Sequence, residues 1–97
     1  VPVEEIVEGI KNGVRKVNID TDLRLASTGA IRRFLAENPA EFDPRKYFKV
    51  SMDAMKQLCV ERYLAFGCEG QASKIKPISL EKMADAYAKG QLNQIVK

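Results

Sequence analysis

The densest cluster of groups able to grip a small anion is the run Asn18-Ile19-Asp20-Thr21-Asp22. It joins a β-branched stretch to an apolar-periodic segment, the place where a strand end meets a helix N-terminus. In βα proteins, ligands bind beyond the carboxyl ends of strands. There the unpaired N–H groups and positive dipole end of the helix attract phosphate. Thr21 adds a hydroxyl donor, and Asn18 can both donate and accept hydrogen bonds to a substrate oxygen. The carboxylates of Asp20 and Asp22 would repel a phosphate unless they point elsewhere. On spacing alone the plainer reading prevails: Asp20 or Asp22 caps a helix, with Thr21 assisting.

Arg45 is the second candidate. It follows Asp43-Pro44, an N-cap acid and a proline suited to the first helical position, so it stands in a first turn, where a cation opposes the macrodipole. An outward guanidinium clamping a phosphate or carboxylate would explain that placement. So would a surface arginine paired with Glu41 or Asp43. Met52, Met55 and Phe48 read as packing, and Glu61 and Arg62 as facing solvent or a neighbouring helix.

The composition limits the chemistry further. The 97 residues include no histidine and two cysteines. This chain alone therefore builds no histidine metal site and no Ser–His or Cys–His dyad. Cys59 and Cys68 form no CxxC pair and follow no secretory signal, which predicts reduced thiols in a cytosolic protein. A hydrophobic content of 45% and charged content of 30% suit a folded chain. No apolar run is long enough for a membrane span. The net charge of +3 lies wholly in residues 71–97, carried by Lys74, Lys76, Lys82, Lys89 and Lys97 against Glu81 and Asp85. Lysines without arginine, and with Tyr87 as their one aromatic, make a poor nucleic-acid footprint.

The positioning elements follow from periodicity. Val3, Ile6, Val7 and Ile10 make one apolar stripe after Pro2, and Asn12-Gly13 ends that helix. Val14 to Ile19 predicts a short strand. Leu23, Ala26, Ala30, Ile31, Phe34 and Leu35 form the stripe of a second helix that stops at Asn38-Pro39. Phe48, Met52, Met55, Cys59, Tyr63 and Phe66 predict a long third helix to Gly67. A loop runs from Gly67 to Pro77. Ser79 then caps a last helix carrying Leu80, Met83, Ala84 and Tyr87 and stopped by Gly90.

One strand among helices has no partner for its backbone groups. That order, with a start at Val1 rather than Met, predicts the C-terminal part of a larger α/β protein. The alternative is an independent helical domain in which 14–19 is a connector.

The run Val-Arg-Lys-Val-Asn-Ile-Asp-Thr-Asp (14–22) followed by Leu-Arg-Leu-Ala closely resembles the last barrel strand and loop of class II fructose-1,6-bisphosphate aldolases. Asp43-Pro44-Arg45 follows as it does in that family. Gly67-Cys68-Glu69-Gly70-Gln71-Ala72 and Ile75-Lys76-Pro77 look like the C-terminal extension of its Calvin-cycle type subgroup. The resemblance covers the whole chain, but about the last quarter of such an enzyme. It implies an α/β fold, the C-terminal part of a (β/α)8 TIM barrel, with residues 1–42 as the last helix–strand–helix unit and 43–97 as a helical extension.

The implied reaction is reversible aldol cleavage of fructose 1,6-bisphosphate to dihydroxyacetone phosphate and glyceraldehyde 3-phosphate. Zinc or another divalent metal acts as the Lewis acid. Its histidine ligands, and the acidic proton-transfer group, would lie upstream of Val1. This segment is thus expected to hold no catalytic residue and no metal ligand. The resemblance gives Asn18 the dihydroxyacetone oxygens, and gives Ile19, Asp20 and Thr21 to the substrate-binding loop. Asp20 would use its amide while its carboxylate turns away. Arg45 would reach across a subunit interface to a phosphate in the neighbour's site, in a cytoplasmic homo-oligomer. Tagatose-bisphosphate aldolases vary at the positions of Asp20 and Thr21, so the form here inclines toward fructose bisphosphate. Two rivals use other features: a non-catalytic helical interaction module built on 44–66 and 80–89, and a lysine-bearing tail laid on an anionic surface.

Overall fold

The computed structural model describes residues 1–91. They form four α-helices: α1 (Val3–Lys11), α2 (Thr21–Glu37), α3 (Pro44–Ala65) and α4 (Leu80–Ala88), with a 3-10 turn at Ala72–Lys74. The expected helical extension runs past these residues, so its last part, 92–97 with Lys97, lies outside the described residues.

Helix ends follow the sequence signals closely. Asp43 caps α3 by accepting from the Arg45 backbone N–H at 3.0 Å, with Pro44 in the first turn. Ser79 Oγ accepts from Lys82 N–H at 3.2 Å and opens α4. Asn38 closes α2, its backbone N–H and side-chain Nδ2 both donating to the Phe34 carbonyl. Pro2 stands one residue earlier than expected. It precedes α1 at the N-cap and offers its carbonyl to Glu5 N–H at 3.1 Å.

At the end of α1, Gly13 (φ +109°) donates to the Ile10 carbonyl at 3.2 Å and Val14 to the Gly9 carbonyl at 3.0 Å. Those crossed bonds satisfy carbonyls that a helix end leaves free, and the left-handed turn between them suits a residue without Cβ. The same pair of bonds closes α3 through Gly67 (φ +78°) and Cys68, and α4 through Gly90 and Gln91.

The expected strand is a correction. Val14 to Ile19 forms no strand, and the described residues contain none. A ladder needs a second backbone at hydrogen-bonding distance, and among the described residues no strand lies beside this segment. Instead the segment is tied back to α1: Arg15 Nη1 donates to the Ile10 and Val14 carbonyls, each at 3.0 Å.

Helices α2 and α3 pack as an antiparallel pair, and α1 touches α3. Two contacts fix the direction: Ser27 Oγ hydrogen-bonds Ser51 Oγ, and Asp22 at the start of α2 meets Arg62 near the end of α3. On α2 the half-buried face carries Leu23, Ala26, Ala30, Ile31, Phe34 and Leu35, the predicted stripe, together with Asp22 and Ser27. On α3 the stripe is misplaced. Met55, Cys59 and Phe66 are half-buried, but Phe48, Met52 and Tyr63 are 54%, 69% and 63% exposed. The packed face instead runs through Val50, Ser51, Ala54 and Leu58, roughly a third of a turn around the helix from the predicted stripe at 100° per residue. Apolar residues circle most of α3, so spacing alone could not say which side meets α2.

No apolar residue is fully buried, and Ser51 alone among the described residues falls into the buried class. The radius of gyration is 19.8 Å, against about 13 Å for a compact domain of this size. Helix α4 touches none of the other helices.

Candidate functional site

Asn18, Ile19, Asp20, Thr21 and Asp22 line an open cleft of about 350 Å³ together with Val1, Ile6, Val17 and Arg62. Of the five residues the resemblance gives to substrate binding, Asn18, Ile19, Asp20 and Thr21 therefore share one cleft, and Arg45 does not. Asn18, Asp20 and Thr21 are exposed, and Ile19 is half-buried. The connection from α1 delivers them to the first turn of α2, whose opening N–H groups have no partner within their own helix.

The carboxylates resolve unlike the plainer expectation. Asp20 occupies the N-cap position, yet its side chain makes no capping bond. Its Oδ1 accepts from Arg24 Nε at 3.0 Å, one turn along the helix. Asp22 Oδ2 accepts from Arg62 Nη1 at 3.1 Å. Both negative charges are thereby compensated by guanidinium groups. The α2 N-terminus keeps the partial positive charge of its macrodipole facing the cleft.

Arg62 was missed in the sequence as a site residue. Its side chain is 16% exposed and reaches Asp22 from a position 40 residues away. No local spacing rule could have exposed that pair, because it exists once α2 and α3 lie antiparallel.

Arg45 is not brought into this cleft. It stands at the far end of α3, about 25 Å of helix from Arg62 at 1.5 Å per residue. Its side chain is 90% exposed and its guanidinium folds back onto Asp43, with Nε 3.1 Å from both carboxylate oxygens and Nη2 2.7 Å from Oδ2. Lys46 Nζ lies 3.2 Å from Glu41, which also accepts from the Asp43 N–H at 3.2 Å. The bonds from the Arg45 side chain and backbone hold the Asp43 carboxyl below its usual range, and the same pairing raises Arg45. The Asp43 N–H, followed by Lys46, lowers Glu41 against an opposing contribution from burial.

A second, more apolar groove of about 470 Å³ runs between Val14–Ile19 and the end of α3, lined among others by Leu23, Leu58, Cys59, Phe66 and Cys68. Both cysteines are free thiols. Among the described residues no three His, Cys, Asp or Glu side chains lie together as a metal site would need, and no helix is long and apolar enough to cross a membrane.

The run Asn-Ile-Asp-Thr-Asp thus opens α2 at the cleft, and Arg45 stands apart from it in the first turn of α3. Residues 1–71 match the family model described as fructose-bisphosphate aldolase class-II, and the chain belongs to that family. A fructose-bisphosphate aldolase of Pseudomonas aeruginosa is 74% identical over 93 residues, which are 96% of this chain and 26% of that protein. One from a Nostoc species is 63% identical over all 97 residues, 27% of its length. The fructose-bisphosphate aldolase 2 of Rhodobacter capsulatus is 62% identical over 92 residues, covering 95% of this chain and 81% of that sequence. The chain thus spans about a quarter of the length of the first two relatives.

Proposed function

We propose that this chain is the substrate-phosphate-gripping part of a class II fructose-bisphosphate aldolase, which cleaves fructose 1,6-bisphosphate reversibly to dihydroxyacetone phosphate and glyceraldehyde 3-phosphate. The observation that carries the reading is the family match through residues 1–71, which contain Asn18 to Thr21 at an uncapped helix N-terminus. Residues 1–42 belong to the last unit of a (β/α)8 barrel and 43–97 to its helical extension. In that setting Val14–Ile19 gains neighbouring strands and its backbone groups are paired.

Binding proceeds through this chain's own atoms. The Asp20 and Thr21 backbone N–H groups donate to one phosphate and the Thr21 hydroxyl adds a third bond, while the Asp20 carboxylate stays on Arg24. Asn18 donates to and accepts from the dihydroxyacetone oxygens and so orients the reacting end. Arg45 exchanges part of its Asp43 pairing for the phosphate at the other end of a substrate held by a second subunit, which makes the working enzyme a homo-oligomer. Its place is the cytoplasm.

A divalent metal, zinc or another, would polarise the substrate ketone in the complete enzyme. The residues here do not fit it: the sequence has no histidine, and no three His, Cys, Asp or Glu side chains lie together among the described residues. In this reading its ligands belong to the rest of the full-length enzyme.

The test is kinetic. In the full-length enzyme, Thr21→Ala and Arg45→Ala should each raise KM for the bisphosphate about tenfold, the worth of one charge-assisted bond. Wild-type KM in both variants would overturn the assignment. A helical interaction module would show no dependence on either residue.

A further inference from the structure

Two carboxylates stand at the start of α2, Asp20 at the N-cap and Asp22 in the first turn, where the substrate phosphate is proposed to bind. Each of them could satisfy those N–H groups itself, since aspartate is among the preferred capping residues. Asp20 is drawn off locally by Arg24, from the same helix. Asp22 is drawn off by Arg62, which arrives from α3 and is the one basic side chain lining the cleft among the described residues. Arg62 is also the less accessible partner, at 16% exposed against 37% for Asp22. The other ion pairs on the described surface join residues no more than five apart, with at least one exposed partner.

We propose that Arg62 is a positioning residue for phosphate binding, acting through Asp22: it holds that carboxylate away from the α2 N–H groups and cancels its charge beside the incoming anion. The proposal rests on the phosphate reading of this helix start and names the group that keeps it open. Without Arg62, the Asp22 carboxylate is free to turn toward the N–H groups of its own first turn and adds an uncompensated negative charge within the cleft. Phosphate then meets both a competitor and a repulsion, whereas the atoms that react are untouched.

The experiment uses the full-length enzyme with inorganic phosphate as the probe in calorimetric titration, beside steady-state kinetics. Arg62→Met should weaken phosphate binding and raise KM for the bisphosphate roughly five- to tenfold, with kcat within about twofold, as expected for a charge placed near a helix terminus. Adding Asp22→Asn should bring both constants back to within about twofold of wild type, because the pair is removed as a neutral unit. That double variant also answers for the case in which Arg62→Met alone unfolds. Unchanged phosphate binding in Arg62→Met overturns the proposal, and so does a defect that Asp22→Asn does not relieve. Thr21→Ala separates the two claims: if it raises KM while Arg62→Met does not, the phosphate site stands and the role of Arg62 falls. If neither variant moves the constants, the site itself is misplaced.

Discussion

Asp43 does two jobs with one carboxylate. It caps α3 through the Arg45 backbone N–H and holds the Arg45 guanidinium through three side-chain contacts. Both interactions favour the charged form, so its folded pKa lies below that of the unfolded chain. The stability it contributes is therefore present above the ordinary aspartate range, around pH 4, and is lost as pH falls through the depressed folded value. A carbon-detected NMR titration should place the Asp43 carboxyl midpoint below that of a free aspartate, with the first turn of α3 loosening as it protonates. Asp43→Asn, which can still cap but cannot pair a guanidinium as an ion, should abolish that acid-sensitive step. A midpoint at or above the free value would contradict the pairing. This residue was legible in the sequence, because cap and partner lie two positions apart. Asp22 and Arg62 were not, since their meeting depends on how two helices fold together.

At the scale of the element, helix ends were read well and helix faces unevenly. Asn12-Gly13, Asn38-Pro39, Asp43-Pro44, Ser79 and Gly90 each act through groups within four residues, so the chain itself contains the information. The face of α2 was equally clear because its polar residues leave a single stripe. On α3, Phe48 and Met52 compete with Val50 and Leu58, and the winner is decided by α2. The strand at Val14–Ile19 has the right residues and no partner, which is a property of surroundings rather than of propensity. Two glycines test the local part of this account in opposite directions, with melting measured in the full-length protein. Gly67 sits at φ +78° in the turn that closes α3, so Gly67→Ala should cost about 1 kcal/mol and lower the thermal unfolding midpoint. Gly29 lies inside α2 with open space where a Cβ would stand, so Gly29→Ala should raise the midpoint, by roughly 0.5–1 kcal/mol of added stability. Equal shifts in both variants would refute the assignment.

The molecule as a whole has more surface than a self-sufficient domain. Its accessible area is 8616 Å², against about 5,600 Å² for a compact monomer of this mass. Phe42, Ile75 and Leu80 are each at least 74% exposed, and among the described residues no apolar side chain is fully buried. Helical propensity, caps and a single packed pair do not replace a core. The 97-residue chain in isolation should therefore bind 8-anilinonaphthalene-1-sulfonate and show no cooperative calorimetric transition, while keeping far-ultraviolet helical signal. A sharp two-state melt would instead favour the independent-module reading and count against a barrel fragment.

The antiparallel pairing of α2 and α3 gives α3 a further significance. Its last turn fixes Arg62 beside the α2 start, and its first turn carries Arg45, so the helix acts as a ruler between the two points proposed to hold substrate phosphates. Adding or deleting one residue between them would change their separation by 1.5 Å and swing one about the axis by 100° relative to the other. Substitutions other than proline on the outward side of α3 leave that register intact. The middle of α3 should consequently accept changes of residue far more readily than changes of length.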